Sequence, residues 1–280
     1  MIQKVFLVDA LVDGPFSGAP TTVIYLSDPL ERFKMASLAA EFGTTESVFL
    51  LPHGKSFLLR FFTPATEIKL GVHACQVAAH IVYELGFRPP NSPVTFLTQE
   101  GEVFCQHTAP DLTSIELDAQ NSIDLPKEEL DGFGAFLGLE PSNVSWGIRT
   151  PGNLMVLALT DPSLLKQLKP KLSEIMNAKL DVLAATALSN RMGESDYLLR
   201  SFRPTWEPCE EHVSGSINRA LAPRWSKILK KKELVTRQLS KRGGLVTIEI
   251  PNPDRVILKG RAKTVLRADI ILDTDSHFIP

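Results

Sequence analysis

A ten-residue segment of this chain occurs twice, and the repetition constrains the fold more than any other feature. Residues 58–67 read LLRFFTPATE and residues 198–207 read LLRSFRPTWE, so the copies begin half a chain length apart in a sequence of 280 residues. Each copy predicts a strand ended by proline, followed within about ten residues by an amphipathic helix. We expect two similar halves, although a chance match over ten residues is the alternative interpretation.

Two similar halves have a consequence for ligand binding. They can direct two helix N-termini into one shared cleft, and each N-terminus carries unpaired backbone N–H groups and a partial positive charge. Such a cleft favours an anionic ligand. We therefore expect the functional site between the halves.

The composition is that of an ordinary globular protein. With 44% hydrophobic and 22% charged residues, the chain is long enough to bury a core in each of two domains. A formal net charge of −2 gives no reason to expect binding to nucleic acid or to a membrane. At the N-terminus Asp9 follows too few apolar residues for a signal peptide or a membrane span, which predicts a cytoplasmic protein.

Cysteine and histidine spacing favours neither disulfides nor a metal site. The three cysteines, Cys75, Cys105 and Cys209, are an odd number without close pairs, so we expect reduced thiols. The six histidines lack the spacing of known metal motifs. We therefore predict no metal.

The first half reads as strands interrupted by two helices. Strands are predicted at 4–9, 21–26, 47–51, 57–62, 94–98 and 102–107. A helix over 29–41 would bury an apolar stripe formed by Leu30, Phe33, Met35, Leu38 and Ala39. The second helix, over 73–85, is apolar nearly all round, which is typical of a helix enclosed by its own sheet.

A similar set of elements follows the turn-rich stretch at 121–126. A helix is predicted over 127–137, and a second central helix opens at Ser214 to Leu221 and is broken or ends near Pro223. Strands are predicted at 154–159, 182–187, 197–202, 245–250, 255–259 and 265–272.

Together these elements predict an α+β fold of two pseudo-twofold halves, each a curved, mostly antiparallel sheet wrapped around a central helix. The N-terminal half would span 1–120, completed by a C-terminal strand near 265–280. The C-terminal half would span 121–264.

A run of basic residues follows the second central helix. Its members are Lys227, Lys230, Lys231, Lys232, Arg237, Lys241 and Arg242. A phosphate-backbone contact surface is one interpretation. Because acidic residues elsewhere offset the charge and no aromatics are interleaved, a solvated helix end is favoured.

Short motifs such as PFSGAP at 15–20 and FTPATE at 62–67 follow one another in an order that resembles the phenazine-biosynthesis (PhzF-like) family, relatives of diaminopimelate epimerase. Residues 9–10 with 15–20 resemble its opening "DAF…PFSGNP", and 45–49 resemble "SETAF". Residues 62–67 resemble "FTPxxE", 70–74 resemble "LCGHA", and 210–216 resemble "EDPVTGS". Residues 242–245 and 260–262 resemble its closing strands. Each motif is weak alone, but their shared order is specific.

The resemblance implies a cofactor-independent isomerase that moves a proton on a small carboxylated carbon acid. Glu46 would take a proton from carbon and return it at another position, with His73 and Glu211 in the same catalytic site. A carboxylate serves best as a general base in a poorly solvated site that disfavours its charge. The implied substrate-binding residues are Gly18, Val72, Ala74, Ser214, Gly215 and Ser216. A homodimer is also implied.

The chain departs from the family pattern at several of these positions. Val72 replaces a glycine, Glu211 replaces an aspartate, His212 replaces a proline, and Asn218 stands where the family has histidine. The departures leave a second hypothesis, a diverged member that binds a small anion or a protein partner without turnover.

A third hypothesis is a two-thiol epimerase or racemase. That chemistry requires a cysteine at each central helix start, and the chain has Gly71 and Ser214 there. It is therefore disfavoured.

Overall fold

A computed structural model describes residues 2–109, 111–190 and 193–272. The chain divides into unit 1, formed from 1–10, 20–115 and 261–280, and unit 2, formed from 11–19 and 116–260. The C-terminal strand that the sequence predicts near 265–280 is described as far as its residues 265–272. Its remaining residues, 273–280, lie outside the described ranges.

The elements up to residue 118 belong mainly to unit 1. They are β1 (Ile2–Ala10), β2 (Ala19–Tyr25), α1 (Arg32–Phe42), β3 (Glu46–His53), β4 (Ser56–Phe62), β5 (Glu67–Ile68), α2 (Val72–Glu84), β6 (Pro93–Thr98), β7 (Gly101–Ala109) and β8 (Leu112–Asp118).

The later elements belong mainly to unit 2. They are β9 (Ile123–Asp124), α3 (Lys127–Phe136), β10 (Val144–Arg149), β11 (Leu154–Leu159), α4 (Leu172–Asn177), β12 (Val182–Leu188), β13 (Tyr197–Phe202), α5 (Asn218–Leu229), β14 (Glu233–Gln238), β15 (Gly244–Asn252) and β16 (Arg255–Ile271), with 3₁₀ turns at Pro141–Asn143 and Pro162–Gln167.

Both units show the same succession of strand pairs. In unit 1, β2–β3 is parallel, β3–β4 antiparallel, β4–β6 parallel and β6–β7 antiparallel. In unit 2, β11–β12, β12–β13, β13–β14 and β14–β15 follow the same alternation. Each unit therefore mixes parallel and antiparallel pairs. Antiparallel pairs are still the majority among the described residues, as the sequence analysis predicts, because β1–β16, β4–β5, β9–β10, β10–β11 and β15–β16 are antiparallel as well. A helix crossover separates the two strands of each parallel pair, and parallel neighbours require such a connection.

The helix predicted to be enclosed is buried on every side. In α2 each residue from Val72 to Val82 is buried. In α5 only some residues are buried, among them Leu221 and Trp225, and the others, which include Arg219, Arg224 and Lys227, are partly or fully exposed. The apolar composition of α2 explains the difference, because only an all-round apolar helix gains free energy from complete burial.

Helix α5 departs from its predicted bounds at both ends. It begins at Asn218 rather than Ser214 and continues through Pro223 to Leu229. Proline removes the N–H that would bond to the carbonyl four residues earlier. That carbonyl belongs to Arg219, and it accepts a hydrogen bond from Gln120 N at 3.0 Å instead. The broken helical bond is thus replaced from outside the helix.

Several smaller predictions are wrong. Phe33, assigned to the buried stripe of α1, is 49% exposed, and the buried residues of that helix are Met35 and Ala39. The strands predicted at 255–259 and 265–272 form one continuous strand, β16. The basic run is not a single helix end, because it extends from α5 through β14 into the loop before β15.

Residues 11–19 lie in unit 2, although the sequence analysis assigns them to the N-terminal half. Leu245 N donates to Leu11 O at 3.0 Å, and Gly18 N donates to Gly243 O at 2.8 Å. At Gly260 an added Cβ would lie 2.1 Å from Leu11 Cδ2, so the absence of a side chain there permits the close approach. These contacts hold the segment against β15 and β16.

The first copy of the repeat forms β4 and the turn after it. Arg60 Nε donates to Glu67 Oε1 at 2.8 Å, and the Arg60 guanidinium lies 5.5 Å from the centre of the Phe62 ring. Burial by itself would raise the pKa of Glu67, but hydrogen bonds from Arg32 and Arg60 outweigh it and lower the pKa. Glu67 is therefore an ionised structural partner.

The second copy forms the same contacts in β13. Arg200 Nε donates to Glu210 Oε1 at 2.6 Å, and its guanidinium lies 5.1 Å from the centre of the Phe202 ring. Arg200 Nη1 also donates to Leu165 O at 2.6 Å. Each copy thus places an arginine near a phenylalanine ring and beside a glutamate. In the first copy that glutamate is Glu67, the last residue of the repeat, whereas in the second copy it is Glu210, three residues beyond the repeat.

Candidate active site

Glu46 is the first residue of β3 and is only 4% exposed. The backbone around it is fixed by threonines: Thr44 Oγ1 donates to Glu46 O at 3.0 Å, and Thr22 Oγ1 lies 2.9 Å from Thr44 Oγ1. Thr21 of β2 pairs with Glu46 in the parallel β2–β3 ladder, which fixes the position of Glu46 relative to β2. The predicted base is therefore a buried carboxylate on a rigid strand end.

His73 lies beside this carboxylate in the first turn of α2. Its Nε2 atom is 3.6 Å from Glu46 Oε2, which is longer than a hydrogen bond. His73 Nε2 and Thr45 Oγ1 are both buried, and neither makes a hydrogen bond to the part of the chain that the structure describes. Buried polar atoms of this kind are uncommon in native proteins and indicate a place for water or ligand.

Gly71, the residue before α2, provides the space that Glu46 occupies. A Cβ added at Gly71 would lie 2.2 Å from Glu46 Oε2 and 2.9 Å from Ala74 Cβ. The carboxylate is thus packed directly against the start of α2, where backbone N–H groups lack helical partners. Val72 and Ala74, both assigned to substrate binding, are buried in this first turn.

The thiols of unit 1 are poor bases. Cys75 is fully buried one position past Ala74, and burial, together with Cys105 and Glu46, raises the pKa of its thiol well above the usual range. Burial also raises the pKa of Cys105. Both thiols therefore remain protonated at neutral pH, which agrees with the sequence argument against two-thiol chemistry.

In unit 2 Glu211 is held by hydrogen bonds at both oxygens. Arg203 Nε donates to Oε1 at 2.7 Å, and Ser201 Oγ donates to Oε2 at 2.7 Å. Gln238 Nε2 donates in turn to Ser201 Oγ at 3.0 Å. The Arg203 guanidinium also lies 4.6 Å from the centre of the Trp206 ring. Glu211 is thus the centre of a buried, charge-assisted network.

The serines assigned to binding lie in the turn before α5 rather than in the helix itself. Ser214 Oγ is 3.3 Å from Ser216 Oγ, and Ile217 N donates to Ser214 Oγ at 3.4 Å. Gly215, between the serines, is buried. The turn therefore presents two hydroxyl groups side by side.

Asn218 fixes this turn from inside the core. Its Nδ2 donates to Ser214 O at 2.8 Å, and Tyr197 OH donates to its Oδ1 at 2.6 Å. Tyr197 stacks on Trp225 with ring centres 5.6 Å apart. The asparagine that departs from the family pattern thus has a structural role here.

Gly18 is placed in unit 2 beside the loop that precedes β15. Arg242 Nε donates to Gly18 O at 2.8 Å, and Gly243 N donates to Ser240 Oγ at 3.1 Å. Ser240 Oγ also donates to His212 O. Gly18 is therefore linked through this loop to the residue after Glu211.

The structure groups the predicted site residues into two clusters. In unit 1 it brings together Glu46, Val72, His73 and Ala74; in unit 2 it brings together Glu211, Ser214, Gly215 and Ser216. Arg203 is not among the residues that the sequence analysis assigned to the site, and the first copy of the repeat has Thr63 at the corresponding place.

The described ranges contain neither a helix that could span a membrane nor a group of side chains that could hold a metal ion. No helix among them is long and apolar enough to cross a membrane. Within 2–109, 111–190 and 193–272, no three histidine, cysteine, aspartate or glutamate side chains are grouped as metal ligands.

Comparison with known proteins identifies the family. The family described as phenazine biosynthesis-like protein (PhzC-PhzF) matches residues 8–268. An uncharacterized isomerase of Halalkalibacterium halodurans is 32% identical over 97% of this chain and 100% of its own length. A PhzF-family protein of Enterococcus faecalis superposes with a TM-score of 0.83 at 27% identity, covering 97% and 100% of the two chains. A PhzC/PhzF protein of Clostridium difficile superposes with a TM-score of 0.84 at 24% identity, covering 96% and 100%. This chain belongs to the phenazine biosynthesis-like (PhzC-PhzF) family.

Proposed function

We propose that the protein is an isomerase that moves a proton on a small carboxylated carbon acid, with Glu46 as the general acid and base. The observation that carries the proposal is the buried Glu46 carboxylate, packed against Gly71 and 3.6 Å from the imidazole of His73. A relative of similar length is named an isomerase, which supports the reaction class.

The environment of Glu46 suits proton transfer to and from carbon. Burial weakens the hydration of a carboxylate and so makes proton capture more favourable. His73 lies close enough to exchange a proton with Glu46 after a small movement, and its Nε2 has capacity for one further hydrogen bond. Returning the proton at a second carbon completes an isomerisation without redox change.

The charge that develops during deprotonation requires a partner. Removal of a proton next to a carboxylate or carbonyl leaves an enolate-like anion, and backbone N–H groups at a helix start stabilise such charge. The first turn of α2 supplies these donors within reach of Glu46. In unit 2 the Ser214–Ser216 turn supplies two hydroxyl groups for the substrate carboxylate.

Solvent deuterium incorporation tests the proposal. Candidate carboxylates incubated with the protein in D₂O should gain deuterium at carbon, measured by NMR. Glu46→Gln should abolish this exchange while leaving the fold intact, since glutamine matches the carboxylate in shape. Full exchange in Glu46→Gln would show that another group is the base.

A second glutamate–histidine pair in unit 1 offers a matched control. His80 Nε2 lies 3.4 Å from Glu84 Oε2, outside the proposed site. Glu84→Gln should exchange as the wild type does. Tight binding of a carboxylate without exchange in any variant would instead favour the diverged binder as the protein's function.

A further inference from the structure

We propose that Arg203 and Ser216 form a binding site for a carboxylate group of the substrate. The inference deepens the proposed function, because it names the residues of unit 2 that select an anionic substrate. It depends on the proposed function only for the identity of the reacting molecule.

The Arg203 guanidinium is held in one orientation. Its Nε donates to Glu211 Oε1 at 2.7 Å, and its plane lies 4.6 Å from the centre of the Trp206 ring. Glu211 is itself fixed by Ser201 at 2.7 Å. An arginine immobilised on two sides has already lost the side-chain entropy that ligand binding would otherwise cost.

One edge of the guanidinium remains available. Nη2 lies 3.4 Å from Ser216 Oγ, at the limit of a hydrogen bond, and Nη1 makes no hydrogen bond to the described residues. The Arg203 side chain is 18% exposed, and Ser216 is partly exposed. A ligand can therefore reach the two Nη atoms and the serine hydroxyl together.

The chemistry of this edge favours a carboxylate. The Nη1–Nη2 edge of a guanidinium can donate two hydrogen bonds to the two oxygens of one carboxylate. Ser216 Oγ, beside Nη2, can donate a third. Since Glu211 already neutralises Arg203, a monoanion is favoured over a dianionic phosphate, which would bring excess negative charge next to a buried carboxylate.

The internal repeat shows that the strand and the turn after it can form without an arginine at the place of Arg203. The two copies share an arginine that pairs with glutamate and stacks on phenylalanine, namely Arg60 and Arg200. Arg203 is additional, and at the corresponding place the first copy has Thr63, whose hydroxyl donates to Thr66 O within its own turn. The site therefore exists in one unit only.

Binding of defined probes tests the inference. Benzoate and succinate serve as carboxylates, with benzamide and succinamide as neutral isosteres, each titrated by calorimetry against the full chain. Arg203→Gln should weaken carboxylate binding about 10- to 100-fold and leave amide binding unchanged. Ser216→Ala should weaken it by a smaller factor. Arg200→Gln removes the matched arginine that does not contact Ser216, so it should bind as the wild type does.

A further variant separates binding from structure. Arg203→Gln leaves the buried Glu211 carboxylate without its cation, which can distort the site. In the double variant Arg203→Gln with Glu211→Gln both charges are absent. Persistent loss of carboxylate binding in the double variant supports the inference, whereas recovery of binding shows that Arg203 acts only by neutralising Glu211 and overturns it.

Three further binding results would contradict the carboxylate site. Undiminished carboxylate affinity in Arg203→Gln, tighter binding of inorganic phosphate than of either carboxylate, or no carboxylate binding to the wild type at millimolar concentration would each overturn the inference. Glu46→Gln should keep carboxylate binding while losing deuterium exchange. Failure of the isomerase proposal is thereby distinguished from failure of the binding site.

Discussion

Unit 1 and unit 2 each contain a buried carboxylate, and the two carboxylates have different neighbours. In unit 1 Glu46 faces an imidazole at 3.6 Å and the start of a helix. In unit 2 Glu211 accepts hydrogen bonds from a guanidinium and a hydroxyl, each at 2.7 Å. Glu211 is thus paired with a permanently charged side chain, whereas the neighbour of Glu46 is a side chain that can carry or release a proton.

Strand register shows how far the two units diverge at this point. Ser47 pairs with Phe62 in β3–β4, and Leu183 pairs with Phe202 in β12–β13. The residues before them, Glu46 and Val182, therefore occupy equivalent positions at the start of equivalent strands. Equivalent backbone positions thus carry an acid in one unit and an alkyl group in the other.

The largest expected effect is a loss of stability when Asn218, which holds the Ser214–Ser216 turn of unit 2, is replaced. Asn218→Ala removes the bonds to Ser214 O and Tyr197 OH and leaves both groups buried, which should lower the free energy of unfolding by about 2–5 kcal/mol. Chemical denaturation measures this change. Tyr197→Phe removes only one of the two bonds and should cost less; an equal cost would show that the Ser214 bond contributes nothing.

The next largest effect is a loss of turnover when the Glu46 carboxylate of unit 1 is displaced. Gly71→Ala places a Cβ where Glu46 Oε2 lies, so the carboxylate must shift, and turnover should fall about 100-fold. Deuterium exchange rates measure the loss. Gly132→Ala, at a position in α3 with no atom within 4 Å of the added Cβ, should retain full exchange. Unchanged exchange in Gly71→Ala would show that the carboxylate tolerates displacement.

The two copies of the repeat should differ in stability when their arginines are removed. Glu210 has Arg200 as its arginine partner, while Glu67 keeps Arg32 and Gln99 after Arg60 is lost. Arg200→Gln should therefore cost about 2–3 kcal/mol and Arg60→Gln about 1 kcal/mol. Thermal or chemical unfolding gives both values. Equal costs would mean that Arg32 and Gln99 do not compensate.

The smallest expected effect is a pH dependence of the free energy of unfolding that arises from Glu67. Since its pKa is lower in the folded chain than in the unfolded chain, its stabilising contribution is complete above the unfolded pKa and is lost as the pH falls through the folded pKa. The stability difference between wild type and Glu67→Gln should therefore shrink below about pH 4. Unfolding curves from pH 7 to pH 3 provide the measurement, and a constant difference would contradict it.

Local patterns predicted most of the regular structure. The helix bounds of α2 and the strands β4, β11 and β13 agree with the sequence to within one residue, because their apolar periodicity and proline boundaries are strong local signals. The membership of the chain in the PhzF-like family is likewise confirmed by the match over residues 8–268.

The features that the sequence did not predict depend on distant contacts. Nothing near Pro223 shows that Gln120 will satisfy Arg219 O, and nothing near Gly71 shows that Glu46 will fill the space beside it. Arg203 lies within the second copy of the repeat, but its contacts to Glu211 and Ser216 are to residues beyond that copy. The shared cleft, the homodimer and the assigned site roles stay predictions.

Val182 has a stereochemical consequence. Because an alkyl group stands at the strand end that is equivalent to the place of Glu46, unit 2 offers no carboxylate at that position to act as a second base. Under the proposed function Glu46 is then both the acceptor and the donor of the hydrogen, so we expect suprafacial transfer. An isotopic label should stay on one prochiral face, and the product should form as a single stereoisomer rather than as a racemate.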